Sequence, residues 1–312
     1  MSAKLPLPLL RALALAAALL ATACGKPADE AATAPAGPPL LWSAEHPDGA
    51  RAWLFGTIHV SDPRVTRLAA PVEAALEEAD ALWTELDVTP TVTARLVQAG
   101  SMPAGTTLTG ILPQETADAL RAEVAAHGGD LALFERLRPW LAEVQLGMLD
   151  AREYMRGGAP ALDLLLRQRA AATGMRLGEI ETVEEQLDAV AHGTEAEQVA
   201  RLQRTLEDLA VARAEGRSPF RELFDAYVAG DAEALWALAE EQLDPPVPAL
   251  LAWWDAVYVQ RNHRMAERLA REALAGEDEV QFFAFGALHF LGPEGVVELL
   301  RAQGWTVTRV DG

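Results

Sequence analysis

The chain has 312 residues, half of them hydrophobic, which supports one large folded core or two small ones and excludes a disordered polymer. With 46 acidic against 26 basic residues and a formal net charge of -20, it lacks the basic footprint that nucleic-acid binding requires. Its single cysteine, Cys24, leaves no partner for an intrachain disulfide.

Residues 1–24 place Lys4 and Arg11 ahead of the apolar run Ala12–Leu20 and the small residues Ala21-Thr22-Ala23-Cys24. That is the layout of an export signal, and the run is too short for an ordinary membrane span. The segment A-T-A-C resembles a bacterial lipobox, so residues 1–24 read as a lipoprotein signal peptide with Cys24 as the lipidated residue. Gly25 after the cysteine points to an outer-membrane lipoprotein facing the periplasm. Residues 25–39 are rich in Ala, Pro and Gly without periodicity and read as a flexible tether.

The folded region begins near Leu40. Leu40–Ala44 and Arg51–Phe55 form a plausible hairpin about the turn His46-Pro47-Asp48-Gly49. The second strand runs into Gly56-Thr57-Ile58-His59. A loop at Val60–Pro63, a helix over 71–79 and a strand over Ala81–Val88 follow. In that strand Trp83, Glu85 and Asp87 share one face by the period of two, and a carboxylate inside an apolar strand needs a partner. Helical patterns then cover Thr91–Gln98, Gln114–His127, Leu131–Met155 and Ala161–Thr173, with Pro139 and Gly157-Gly158 as punctuation. Met175–Glu181 returns to strand character. A second helical block covers Val183–Ala191, Glu195–Glu215, Pro219–Val228, Asp231–Gln242 and Ala249–Ala275. The continuous apolar run Val280–Leu291 reads as a buried strand ending in Gly286-Ala287-Leu288-His289, and a helix to Gln303 and a strand over Trp305–Val310 close the chain.

Strands read as unbroken apolar runs belong to parallel sheets covered on both faces. The expected fold is therefore α/β: a parallel or mixed central sheet flanked by helices, over 40–312, with a large helical insertion at about 91–174 and 183–275. In such sheets ligands sit beyond the carboxyl ends of the strands, where both Gly-x-x-His endings lie. Two imidazoles and a carboxylate suit a divalent metal, so His59, His289 and Glu85 are the candidate ligands, for Mn²⁺, Co²⁺ or Zn²⁺, and Gly56 and Gly286 permit close backbone approach beside them. Such an ion would supply hydroxide at neutral pH. Arg261 and Asn262, on a helix that also carries Trp254, Tyr258 and Met265, are candidates to polarise a carbonyl and position a substrate. Asp163, Glu181 and Tyr258 are candidate substrate contacts. His46, His127, His192 and His263 read as turn, helix-end or surface residues. No G-x-S-x-G, P-loop or Cys-x-x-Cys occurs.

Several segments together resemble the TraB/GumN family, related to the Tiki proteins. They are L-F-G-T-I-H-V-S-D-P (Leu54–Pro63), T-E-L-D (Thr84–Asp87), R-P-W (Arg138–Trp140), E-I-E-T-V-E-E-Q-L (Glu179–Leu187), Arg261-Asn262 and F-G-A-L-H-F-L-G-P-E-G-V-V-E-L-L (Phe285–Leu300). The resemblance implies an α/β fold akin to erythromycin esterase and haem-binding ChaN-like proteins, and a metal-dependent protease or hydrolase activity. It assigns the family's histidines to His59 and His289, its carboxylate to Glu85 and its Arg-Asn pair to Arg261 and Asn262. Where the family more often has Gly-hydrophobic-Asp, this chain has A-L-D-L (Ala161–Leu164), which keeps Asp163. The expected function is a lipid-anchored, periplasm-facing metallohydrolase, foremost a peptidase using metal-bound water, with a peptide or small-molecule substrate, membrane contact through the lipid and no nucleic-acid partner. Two alternatives stand beside it. One is a metal-independent hydrolase with His59 as base and Glu85 orienting it. The other is a non-catalytic lipoprotein that binds a peptide or haem, with Tyr154, Tyr227 and Tyr258 as possible haem ligands.

Overall fold

The computed structural model describes residues 37–155, 160–244, 246–276 and 278–311. The signal peptide, Cys24, most of the tether and Gly157-Gly158 lie outside them.

Six strands form one mixed sheet: β1 (Leu41–Glu45), β2 (Arg51–Thr57), β3 (Ala81–Thr84), β4 (Arg176–Glu179), β5 (Val280–Gly286) and β6 (Thr306–Arg309), in the spatial order β4-β3-β5-β2-β1-β6. β4, β3, β5 and β2 run parallel, while β1 is antiparallel to both β2 and β6. The sheet's two faces are both covered, which explains the unbroken apolar character of β5. Leu41, Phe55, Leu82, Phe282 and Ala284 pack against the helices Ala70–Glu78 and Leu162–Thr173. Trp42, Leu54, Phe283 and Phe285 face a larger core, to which the helices Glu195–Ala214, Pro219–Val228, Gln260–Ala275 and Val296–Ala302 contribute. A third cluster joins Trp140, Leu141 and Val144 to Leu187, Val190, Trp253 and Tyr258 within the helical layer. The fold is thus α/β with a mixed sheet and substantial helical content, helices filling the stretches between β3 and β4 and between β4 and β5. Among the described residues no helix is long and apolar enough to cross a membrane.

Several boundaries differ from the sequence reading. β3 stops at Thr84 rather than Val88, so Glu85 leaves the pleat, and no face is shared by Trp83, Glu85 and Asp87 along a strand. β5 stops at Gly286, after which Ala287–Phe290 forms a 3-10 turn, which a continuous apolar run conceals. β4 ends at Glu179, leaving Glu181 beyond it. The expected helix over Leu131–Met155 is broken into Leu131–Phe134, Pro139–Asp150 and a 3-10 turn, because Pro139 takes a first-turn position and cannot continue a preceding helix. The helix over Ala249–Ala275 is interrupted by a π-turn at Asp255–Val259. Short helices at Pro63–Thr66 and Leu108–Ile111 have no periodic signal, being only four residues each.

The helix Val183–Val190 begins with a capping box in which Thr182 and Glu185 satisfy each other's backbone N–H groups. It carries Gln186 toward the sheet mouth. Thr182→Ala is expected to lower stability by about 1 kcal/mol, as for other N-cap losses, measured by chemical denaturation against the parent chain.

Candidate functional site

The parallel strands deliver four segments to one edge of the sheet. In the register of β2 and β5, Thr57 lies beside Gly286, so the two Gly-x-x-His segments leave the sheet as neighbours. β3, on the other side of β5, delivers Glu85, and β4 delivers Glu181. This is the carboxyl-end mouth of the sheet.

Gly286 is the point of convergence. A Cβ built there would lie 3.3 Å from Glu85 Oε1, 3.7 Å from His289 Cδ2 and 3.9 Å from His59 Nε2. The missing side chain leaves open the space that these three residues share, and the Gly286 N–H donates to Glu85 Oε1 at 2.8 Å. Gly56 acts differently: a Cβ there would press on Ala287 Cα at 3.0 Å, so its absence lets the turn after β5 pack against β2.

Each imidazole is held by its Nδ1. His59 Nδ1 lies 2.6 Å from Asp163 Oδ2, and Asp163 Oδ1 accepts from the Thr57 hydroxyl at 2.6 Å. His289 Nδ1 lies 2.6 Å from Asn262 Oδ1, while the Asn262 amide donates to the Glu294 carbonyl at 2.8 Å. That second bond orients the amide with its oxygen toward the ring, so His289 donates from Nδ1 and keeps a lone pair on Nε2. His289 Nε2 is 3.9 Å from Glu85 Oε1.

Behind them lies a buried ion cluster. Arg261, fully buried, donates Nε to Glu181 Oε1 at 2.9 Å and Nη2 to Glu181 Oε2 at 2.5 Å and to Glu85 Oε2 at 2.8 Å. Gln186 Nε2 donates to Glu85 Oε2 at 3.0 Å. Only Arg261 Nη1 has no hydrogen-bond partner in this cluster among the described residues.

The electrostatics separate the two histidines. For His59, burial opposes the charge, but Asp163 and then Glu85 outweigh burial and Arg261, holding the imidazole up at about 9. For His289, burial, Arg261 and His59 outweigh Glu85 and push it down to about 3. Glu85 is drawn upward by burial, yet Arg261, the imidazoles and the Gly286 N–H hold it down at about 2. Formally, three carboxylates (Glu85, Glu181, Asp163) face Arg261 and a protonated His59, so the cluster carries one surplus negative charge.

These groups form the floor of a cavity, partly open to solvent, whose walls include Leu223, Tyr227, Leu235, Trp253, Trp254 and Tyr258. Of the sequence candidates, His59, Glu85, Tyr258, Gly286 and His289 line it. Arg261, Asn262, Asp163 and Glu181 do not; each touches a floor residue from behind, Glu181 through its backbone N–H to the Glu85 carbonyl. Arg261 gives Nε and Nη2 to two carboxylates and lies behind the floor, where it acts as a positioning residue for Glu85. Asn262 positions His289 in the same way, and Asp163 rather than Glu85 orients His59. The tyrosines proposed for haem are committed elsewhere: Tyr227 donates to the Gly56 carbonyl at 2.8 Å, Tyr258 to the Leu291 carbonyl at 2.5 Å, and Tyr154 packs with Phe220 and Phe224. Gln186 and Thr57 went unnoticed in the sequence, although Gln186 lies inside the E-I-E-T-V-E-E-Q-L segment. His263 is exposed and pairs with Glu294, in keeping with its reading as a surface residue.

The fit of a metal divides. The Nε2 atoms, the surplus negative charge and the empty space over Gly286 suit a divalent cation. Against that, among the described residues no three of His, Cys, Asp and Glu stand in a geometry that could hold a metal ion.

The family model of TraB/PrgY/gumN matches residues 40–309. Among curated proteins, Metalloprotease TIKI2 of Xenopus tropicalis is 28% identical over 311 residues, covering 86% of this chain and 59% of the relative. Metalloprotease TIKI2 of Danio rerio is 26% identical, with 86% and 60% covered, and Metalloprotease TIKI1 of Homo sapiens 25% identical, with 82% and 59% covered. The chain therefore spans about three-fifths of the length of these relatives. No solved structure matches it.

The raised His59 pKa has a thermodynamic consequence. Its proton stabilises the fold fully below the unfolded value of 6.5, and that contribution is lost as pH rises through about 9. In chelator-treated protein, unfolding free energy is expected to fall between pH 7 and 9.5, and Asp163→Asn to flatten the fall while NMR shows the His59 titration moving to lower pH.

Proposed function

Because the chain belongs to the TraB/PrgY/gumN family, we propose that it is a metal-dependent hydrolase acting on peptide bonds, the activity named for its curated relatives. The observation that supports this most is the meeting of His59, His289 and Glu85 over the bare Cα of Gly286 at the floor of an apolar cavity. In this reading His59 and His289 hold the ion through Nε2, with water or substrate filling the remaining positions. A divalent ion there would polarise a carbonyl and lower the pKa of a water. Asp163 and Asn262 fix the ring orientations from Nδ1, the arrangement metal-binding histidines ordinarily have. Binding requires His59 to give up its proton, so affinity rises with pH.

Glu85 has a narrower role than general base. A carboxylate held at about 2 accepts protons poorly at neutral pH, whereas an efficient base lies near the working pH. It supplies fixed negative charge, and Oε1 keeps a lone pair free beside the Gly286 N–H to orient a water or approach the ion. Arg261, Glu181 and Gln186 hold that carboxylate ionised and in place.

That no three-residue ligand geometry stands among the described residues favours a second reading, in which hydrolysis needs no metal. In that reading His59, protonated at neutral pH, would give a proton to the leaving group, and the Nε2 lone pair of neutral His289 would orient the attacking water, whose proton leaves to solvent because an imidazole held at about 3 is little better a base than Glu85. On the same footing as the activity, we place the protein in the cell envelope facing the periplasm, anchored through Cys24.

The purified full chain is expected to bind a divalent ion stoichiometrically by elemental analysis and to cleave peptides from a mixed library. His59→Ala and His289→Ala are each expected to lose the ion and to reduce cleavage by about 100-fold or more, in line with the loss of a general catalyst. Full metal retention in both variants contradicts the metal-binding assignment, and cleavage that survives exhaustive chelation selects the second reading.

A further inference from the structure

The walls of the cavity carry information that its floor does not. No lysine, arginine or aspartate is among its lining residues, and the charged and titrating groups, His59, Glu85 and His289, lie at the floor. Three of the four aromatic walls have their polar atoms spent on protein carbonyls. Tyr227 donates to Gly56, Tyr258 to Leu291, and Trp253 Nε1 to Val190 at 3.1 Å. Burial pushes both phenols up, so they remain donors held by those carbonyls. A ligand entering above the floor therefore meets carbon surfaces and ring faces.

Those faces are organised. Trp254 and Tyr258 stack with centroids 4.7 Å apart and planes 23° apart, and Trp236 backs Tyr258 at 5.3 Å. The π-turn Asp255–Val259 starts directly after Trp254 and contains Tyr258, and such wide turns occur often at functional sites. Leu223, Tyr227 and Leu235 supply the facing wall from a different pair of helices, Pro219–Val228 and Ala232–Glu241.

We propose that this cavity is a specificity pocket for an uncharged aromatic side chain of a peptide, seated against Trp254 and Tyr258 so that an adjacent backbone amide lies over Gly286 between the histidines. The inference rests on the hydrolase reading for turnover but not for binding. A ring gains from offset or edge contact with the aromatic wall beyond its burial, which a flexible alkyl chain does not. A charged side chain would have to desolvate with no partner on the walls.

The test uses ligand-observed NMR on the purified full chain with N-acetyl-glycyl-X amides, X being phenylalanine, leucine, alanine, glutamate or lysine, and with N-octanoyl-glycine amide. The phenylalanine compound is expected to bind about tenfold or more tighter than the alanine compound, as follows from burying a ring of that size. The glutamate and lysine compounds are expected to bind no better than alanine. Trp254→Ala should reduce the ratio of phenylalanine to alanine affinity severalfold; should that variant unfold, the series on the parent chain decides. Equal affinity for phenylalanine and alanine, no binding of any compound, or tighter binding of the octanoyl compound overturns the proposal. The two readings separate cleanly. Aromatic preference without cleavage of any peptide removes the hydrolase and leaves the pocket, whereas cleavage indifferent to aromatic residues removes the pocket and leaves the hydrolase.

Discussion

The guanidinium of Arg261 is the constraint on which the rest of the site depends. It has no access to solvent, and it bridges Glu181 from the end of β4 to Glu85 from the end of β3. Burying such a group costs several kcal/mol unless its donors are met, and removing one partner of a buried pair costs about 3–5 kcal/mol. The cluster therefore does little for stability on balance but strongly penalises any arrangement in which these segments drift apart. It fixes where the Glu85 carboxylate sits, and that carboxylate in turn caps the N–H at the end of β5.

From that anchor the asymmetry of the histidines follows. Arg261 lies on the side of His289 and helps deny it a proton, while Asp163, arriving from the Leu162–Thr173 helix on the opposite covering layer, keeps one on His59. Two residues with the same local sequence, Gly-x-x-His, are thus driven to opposite protonation states by partners far away along the chain. The hydrogen bonds at Nδ1 leave both Nε2 atoms toward the shared space over Gly286.

Much of this was legible in the sequence, for identifiable reasons. The matched Gly-x-x-His endings mark the two histidines because buried parallel strands have unmistakable apolar runs, and glycine before a histidine signals a close approach. Glu85 was legible as a carboxylate in an apolar setting, but its strand was read four residues too long: Leu86 and Val88 continue the alternation that the backbone abandons once Glu85 turns toward Gly286 and Arg261. Arg261 and Asn262 were legible as polar residues on a helix that also carries Trp254, Tyr258 and Met265. Their placement behind the floor was not, because the π-turn at Asp255–Val259 shifts the helical phase and a 3.6-residue wheel carries no trace of it. Leu223, Tyr227 and Leu235 read as ordinary core residues of amphipathic helices, since a cavity wall and a packed core need the same side chains.

The central claim is that His59 and His289 act on one shared ligand position. Crystals of the full chain grown with a divalent metal, with diffraction measured across the absorption edge of that metal, test it most directly. The account predicts a single anomalous peak over Gly286, at about 2.0–2.1 Å from Nε2 of each histidine if the ion is zinc. A peak bound elsewhere, or an ordered ion touching only one of the two imidazoles, contradicts it.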